Sequence, residues 1–332
     1  MTNEALPTRD DAALGAVLGA LVGDAAGAVL EFFDRAISPG DVEHALTMPG
    51  GGTWAVAPGQ ITDDGELTMS LLNALAEAPE TPLGAAASHY ARWVASDPFD
   101  IGATTAASLG CLRHAAWAAR AKEAGIDVAM TEAARERCMQ SKANGSLMRA
   151  TPLGVWGARR ADAEVVAAAQ DDARLSHPNA SCVDAAAVYV LAIASLVRVP
   201  GDAARALALV ETWARANACE EVRAWLDDAA AGKDVPYTPQ DGFVRIAFTH
   251  AFRHLRAGTP YISALRETLA GGGDTDTNAC IIGGLLGARW GASSIPAPMK
   301  AAVLECDHRR GRHARPEALH PRTVPERVRS LL

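Results

Sequence analysis

Apolar residues recur at helical spacing along most of the chain. Between residues 11 and 30, Leu14, Val17, Leu18, Leu21 and Val22 fall on one face. That is the repeat of a helix packed on one side. In the same stretch Gly15, Gly19, Gly23 and Gly27 recur every four residues. Such a glycine face lets a second helix come close. Periodicity and its breakers predict further helices over 66–78, 82–96, 101–122, 131–141, 180–198, 201–217, 219–231, 241–257, 260–270, 277–290 and 298–306. Two-residue alternation of Val, Ile, Thr and Tyr is scarce, so no strand pair is predicted. The stretch 34–60, with Pro39-Gly40, Pro49-Gly50-Gly51-Gly52 and Pro58-Gly59, reads as a long loop. Long loops inside compact domains often serve as lids or flaps.

Composition changes this picture little. The 332 residues, 49% of them hydrophobic, suffice for one large domain or two small ones. No composition break or fixed-period repeat divides them. The expected architecture is all-α: a compact single-domain, multi-helix bundle over 1–332, with a core at about 11–306 and a closing segment at 307–332. The net charge is −8 and no Lys/Arg block is long, which argues against a nucleic-acid surface. The basic tail Arg309 to Arg329 is broken by prolines and reads as a solvated closing segment. Cys111, Cys138, Cys182, Cys219, Cys280 and Cys306 contain no C-x-x-C pair, which fits reduced thiols. Met1 to Asp11 lacks a signal-peptide layout, and the apolar run Ala185 to Val197 is short and Ala-rich for a membrane span. A cytoplasmic location is the expectation.

Two stretches carry more oxygen than a helix cap needs. Gly271-Gly272-Gly273-Asp274-Thr275-Asp276-Thr277-Asn278 precedes the apolar run from Ala279 to Trp290. Thr62-Asp63-Asp64-Gly65-Glu66 precedes Leu67, Met69, Leu71, Leu72 and Leu75. Hydroxyls and carboxylates there suit helix N-termini, which carry unpaired N–H groups and partial positive charge. Adjacent carboxylates repel when desolvated, so a buried pair calls for a cation. If the two helix starts face each other, Thr62, Asp63, Asp64, Asp274, Asp276 and Thr277 form one oxygen-only ligand set. That selects Mg²⁺, Mn²⁺ or Ca²⁺ over Zn²⁺.

Weaker signals surround these. Asp24 lies within the glycine-lined helix, where an unpaired carboxylate is costly. Glu31, taken alone, reads as an exposed helix-end residue. Asn144-Gly145-Ser146-Leu147-Met148-Arg149 reads as a turn into a helix, whose N–H groups can also meet an anion. His177 either caps the helix that follows or contacts a ligand at its start.

Taken together, Gly23-Asp24-Ala25-Ala26-Gly27 with Glu31, Thr62-Asp63-Asp64, Asn144 to Arg149 and Gly271 to Thr277 stand in the order found in ADP-ribosylglycohydrolases. The chain resembles that family from about residue 11 to about residue 306. The resemblance implies an all-helical hydrolase with two Mg²⁺ or Mn²⁺ ions. It implies removal of ADP-ribose from a modified protein or small-molecule acceptor by cleavage at ribose C1″, with ADP-ribose as product. Thr62, Asp63, Asp64, Asp274, Asp276 and Thr277 would be ligands, with Asp276 bridging. Glu31 would be a flap glutamate near the second metal. Asn144, Gly145, Ser146, Leu147 and Met148, with Gly271, Gly272 and Gly273, would line the ADP-ribose cleft, and His177 would touch the nucleotide. Asp63 or Glu31 would be the catalytic carboxylate. Arginine is the favoured acceptor; serine, a nucleic-acid end or a metabolite stay open. Two alternatives use the same residues: a non-catalytic ADP-ribose binder or crystallin-like member, and a two-metal phosphoesterase. The complete six-residue set favours the enzyme.

Overall fold

A computed structural model describes residues 6–332. Among them are 17 α-helices and five short 3₁₀ segments. No strand forms; two isolated bridges, Gly51 with Val56 and Ala143 with Phe243, are all the β-pairing there is among the described residues. The architecture is the all-α one expected.

The molecule is built around one helix pair, Arg9–Gly27 and Thr275–Trp290. The four-residue glycine repeat explains their contact. A Cβ added at Gly19 would stand 2.3 Å from the Gly283 carbonyl oxygen, and one at Gly23 would stand 2.1 Å from that of Ala279. The partner helix answers with its own glycines, since a Cβ at Gly287 would lie 2.0 Å from the Gly15 oxygen. Only hydrogen at these positions permits backbone-on-backbone packing. The close approach sets Asp24, on the first helix, near Asp276, at the start of the other.

Most predicted helices appear within a few residues of their expected ends. Ala180–Arg198 runs through the core with nearly every side chain buried. It is long and apolar enough by composition to cross a membrane, but 89% of its apolar window is buried inside this domain. The predicted helix 101–122 is broken into Ala103–Ser108, a 3₁₀ segment Leu109–Arg113 and Ala115–Ala124. His114 adopts an extended conformation there and restarts the helix. The helix expected at 131–141 is Ile126–Arg137. Helices Thr151–Gly157 and Asp162–Arg174 were not expected: the first is short and holds Pro152, Gly154 and Gly157, and the second buries only Val165, Ala169, Asp172 and Ala173, which gives little periodic contrast. The 34–60 stretch also holds a helix, Pro39–Ala45, started by a Ser38/Asp41 capping box.

The basic tail is only partly solvated: Arg309, Arg310, Arg312, Arg322 and Arg329 are exposed, but the segment is docked on the domain. Val324, Val328 and Leu331 are buried on the Val324–Leu331 helix. Arg315 is 9% exposed and donates from Nε and an NH₂ group to Glu66, at 2.7 and 2.9 Å. Trp93 Nε1 completes the Glu66 pocket at 2.7 Å. A buried carboxylate and a buried guanidinium exclude each other from water only as a pair. That pairing draws the tail onto the Asp63–Glu77 helix.

Candidate functional site

Thr62 and Asp274 occupy the N-cap positions of Asp63–Glu77 and Thr275–Trp290. An ordinary cap would accept from its own helix's first amides. Neither does. Thr62 Oγ1 instead donates to Asp24 Oδ1 at 2.8 Å and lies 3.3 Å from both Asp64 Oδ2 and Asp276 Oδ2. Thr277 Oγ1 lies 3.3 Å from Asp64 Oδ2. Asp274 Oδ2 accepts from Asn144 Nδ2 at 2.7 Å. The two clusters, separated by over two hundred residues, therefore meet. Asp24 fixes the junction: it also accepts from the Gly65 amide at 2.8 Å and from the Thr62 amide at 3.1 Å.

Glu31 is not an exposed helix end. The helix stops at Gly27, and Glu31 sits in the following turn at 5% exposure. Trp54 Nε1 donates to its Oε2 at 2.7 Å, and Thr53 Oγ1 donates to its carbonyl at 2.8 Å. The glycine-rich loop thus carries the residues that hold Glu31.

Two groups of carboxylate oxygens lie within 4.8 Å of one another: Asp24, Asp64 and Asp276, and Glu31, Asp100 and Asp276. Asp276 is common to both. Asp100 was missed from the sequence, where it is the second acid, after Asp97, of a short inter-helix loop. A third group, His250, His254 and Glu267, is already filled by Arg253, whose guanidinium bonds both His250 Nδ1 and Glu267.

Above these carboxylates opens a cleft of about 370 Å³. Glu31, Asp63, Asp100, Asp274, Asp276 and Thr277 line it together with Thr104, Thr105, Asn144, Gly145, Met148 and His177. Thr62 and Asp64 lie beneath it. Ser146 and Leu147 do not line it: both are wholly buried. Gly271, Gly272 and Gly273 also stay out of it. Gly271 packs on the Tyr237 ring, Gly272 faces Ile37, and the Gly273 carbonyl accepts from the Phe32 amide. The glycine run shapes the helix start and the Glu31 turn. His177 is not the cap of the next helix; Asn179 is, accepting from the Ser181 amide at 3.0 Å.

Among the described residues, no lysine or arginine lines the cleft. Burial, opposed by the Thr62 and Gly65 hydrogen bonds, pushes Asp24 up to about 7. Burial, then the charges of Asp100 and Asp274, pushes Glu31 up to about 8. Burial and Asp274 push Asp100 up to about 6. Asp63, Asp64 and Asp276 are raised well above the carboxylate range by burial and then by neighbouring acids. Such a set is stable as anions only around positive charge. Asp64 Oδ1 is buried without a hydrogen-bond partner. The donor set fits hard divalent cations, which take oxygen ligands.

Comparison with known proteins agrees with this geometry. A family model described as ADP-ribosylglycohydrolase matches residues 5–327. The chain is 29% identical to the ADP-ribosyl-(dinitrogen reductase) glycohydrolase of Rhodospirillum rubrum, over 88% of this chain and 90% of that one. It is 36% identical to an ADP-ribosylarginine hydrolase of Pseudomonas putida over 31% of this chain and 29% of that one. A solved structure described as an ADP-ribosylglycohydrolase-related protein complex shares the fold, with a TM-score of 0.71, 24% identity and 97% of each chain covered.

Proposed function

The chain belongs to the ADP-ribosylglycohydrolase family, and from that premise we propose a divalent-metal-dependent hydrolase that frees intact ADP-ribose from a modified acceptor. One observation carries the reading. Oxygens from two distant helix starts converge beneath a cleft that, among the described residues, offers them no lysine or arginine.

Thr62, Asp63, Asp64, Asp274, Asp276 and Thr277 would hold two Mg²⁺ or Mn²⁺ ions. Asp276, shared by both carboxylate groups, would be the bridging ligand. When bound, such ions supply positive charge that polarises hydroxyls and acidifies nearby water. The chain's own residues do the rest. Asp24 holds the Thr62-to-Gly65 backbone, and Asn144 orients Asp274. The acceptor bond breaks at ribose C1″ with oxocarbenium character, as in sugar hydrolysis generally. Water attacks that carbon, and Asp63 or Glu31 takes its proton or assists the leaving group.

The acceptor we favour is ADP-ribosyl-arginine, the chemistry named for the Pseudomonas putida relative. Product analysis tests the whole reading: an ADP-ribosyl-arginine peptide is incubated with Mg²⁺ or Mn²⁺ and the released species identified. Intact ADP-ribose is expected. AMP would make the protein a phosphoesterase, and an unchanged peptide alongside bound ADP-ribose would make it a binder.

A further inference from the structure

Among the described residues the cleft is lined by one imidazole, His177, and the groups that hold it take no part in the chemistry above. Behind it lies Arg149, fully buried. Its Nε donates to Asp172 Oδ2 at 3.1 Å, and one NH₂ group donates to the Asp172 carbonyl at 2.9 Å. The other NH₂ group donates to the Gly145 carbonyl at 3.1 Å and to Ser176 Oγ at 2.9 Å. Tyr90 donates to Asp172 Oδ1 at 2.7 Å, and its ring lies 4.7 Å from the guanidinium carbon. Every partner in this network is committed.

Proton accounting then fixes the imidazole. A guanidinium only donates, so Ser176 Oγ accepts from Arg149. The hydroxyl keeps one proton to give. Among the described residues its remaining partner is His177 Nδ1, at 2.8 Å. Nδ1 must therefore present its lone pair. Burial and the Arg149 charge hold His177 down to about 3, so the ring is neutral and carries its single proton on the other nitrogen. That nitrogen, Nε2, has no protein partner among the described residues, and the ring lines the cleft. Gly145 leaves room beside it: a Cβ there would lie 3.1 Å from Nε2 and 3.0 Å from Thr105 Oγ1.

We propose that Arg149, acting through Ser176, locks His177 in the Nε2–H tautomer, so that the cleft offers its ligand an uncharged hydrogen-bond donor for an acceptor oxygen. The chemistry it takes is a phosphate or ribose oxygen of ADP-ribose; a donor such as the adenine amino group is refused at this point. Arg149 and Ser176 are positioning residues. The same guanidinium holds the Gly145 carbonyl, so one buried cation sets both the donor and the turn beside it. The ligand part of this proposal rests on the ADP-ribosylglycohydrolase reading; the tautomer does not.

The test begins with the ligand-free protein. Two-bond ¹H–¹⁵N correlation of ¹⁵N-histidine-labelled protein near neutral pH reads the tautomer, with His177→Gln assigning the signals. Nε2 at a protonated shift and Nδ1 at an unprotonated one are expected. Ser176→Ala should abolish the single tautomer, and Ser176→Thr, which keeps the hydroxyl, should restore it. Calorimetry with ADP-ribose and Mg²⁺ should show Ser176→Ala binding roughly tenfold more weakly and Ser176→Thr near wild type. A protonated Nδ1 in the wild type, or an unchanged tautomer in Ser176→Ala, overturns the relay even if Ser176→Ala binds poorly. If the wild type shows the Nε2–H tautomer but binds no ADP-ribose at millimolar concentration, the ligand assignment fails and takes the reading of the cleft with it.

Discussion

Thr62 and Asp274 stand where helix caps stand, yet both turn their side chains away from their own amides. Asp63 and Glu31 are the cleft-lining acids proposed to handle the proton. Glu31 is held by Trp54, while Asp63 lies at the mouth of its helix beside Asp100 and Asp64. Glu31→Gln and Asp63→Asn keep shape and remove a proton acceptor. Turnover by whichever variant lacks the working carboxylate should fall about 10²- to 10⁴-fold. Metal content measured on the same samples separates loss of chemistry from loss of ligand. Near-normal turnover in a metal-replete double variant would reject carboxylate participation. At this scale the sequence is readable where chemistry is dense: two adjacent acids beside a hydroxyl, twice over, announce themselves. Asp100 does not, because beside the exposed Asp97 it reads as one more polar residue of an ordinary inter-helix loop. Arg149 hides for the opposite reason. It follows an apolar run and looks like a surface end, while three dimensions seal it beneath the cleft.

Helices are the next scale, and here the glycine repeat governs. Gly19 and Gly283 meet backbone to backbone, so Gly19→Ala must push the two central helices apart. Overpacking of this kind costs about 1–3 kcal/mol, and denaturant melts of the variant should show it. The same variant should bind Mg²⁺ more weakly, because the displaced helix carries Asp276. Unchanged stability would mean that the helix pair is looser than its geometry indicates. The four-residue glycine spacing predicts close packing, but not the partner, since the answering glycines at 283 and 287 begin an ordinary-looking apolar run. Helix Thr151–Gly157 escapes detection because it is short and holds Pro152, Gly154 and Gly157, and Asp162–Arg174 because alanine is as compatible with a core as with a surface. The Glu66–Arg315 pair escapes because its members lie 249 residues apart, and nothing local distinguishes a buried arginine from an exposed one.

For the whole molecule, the acid cluster couples folding to protons and cations. Asp24 at about 7, Glu31 at about 8 and Asp100 at about 6 sit above their unfolded values. The metal-free native state therefore holds protons that the unfolded chain has released. Its stability is fully present below the unfolded carboxylate range and is lost as pH rises through the folded values. Arginine-paired surface acids such as Glu43 and Glu80 are lowered and titrate below that window, but buried His177 and His254, held at about 3 and about 4, release protons on folding and oppose the trend up to the ordinary histidine range. Above that range the raised acids act unopposed by them: in EDTA, Tm should fall from about pH 7 to about pH 8, and saturating Mg²⁺ should flatten the curve by binding the native state alone. A metal-free Tm that climbs across this interval would contradict the cluster's electrostatics.

Arg315 adds a temporal dimension. The helix that begins with Thr62, Asp63 and Asp64 emerges early in synthesis, with Glu66 one turn in, but the cation that neutralises Glu66 is translated 249 residues later. Until then that helix cannot seat without burying a bare carboxylate, at a cost of about 3–5 kcal/mol. A ribosome-stalled or protease-clipped chain lacking Arg315 would therefore hold every proposed ligand and still fail to assemble them. The helix that opens the ligand set thus depends on one of the last segments of the chain to be made.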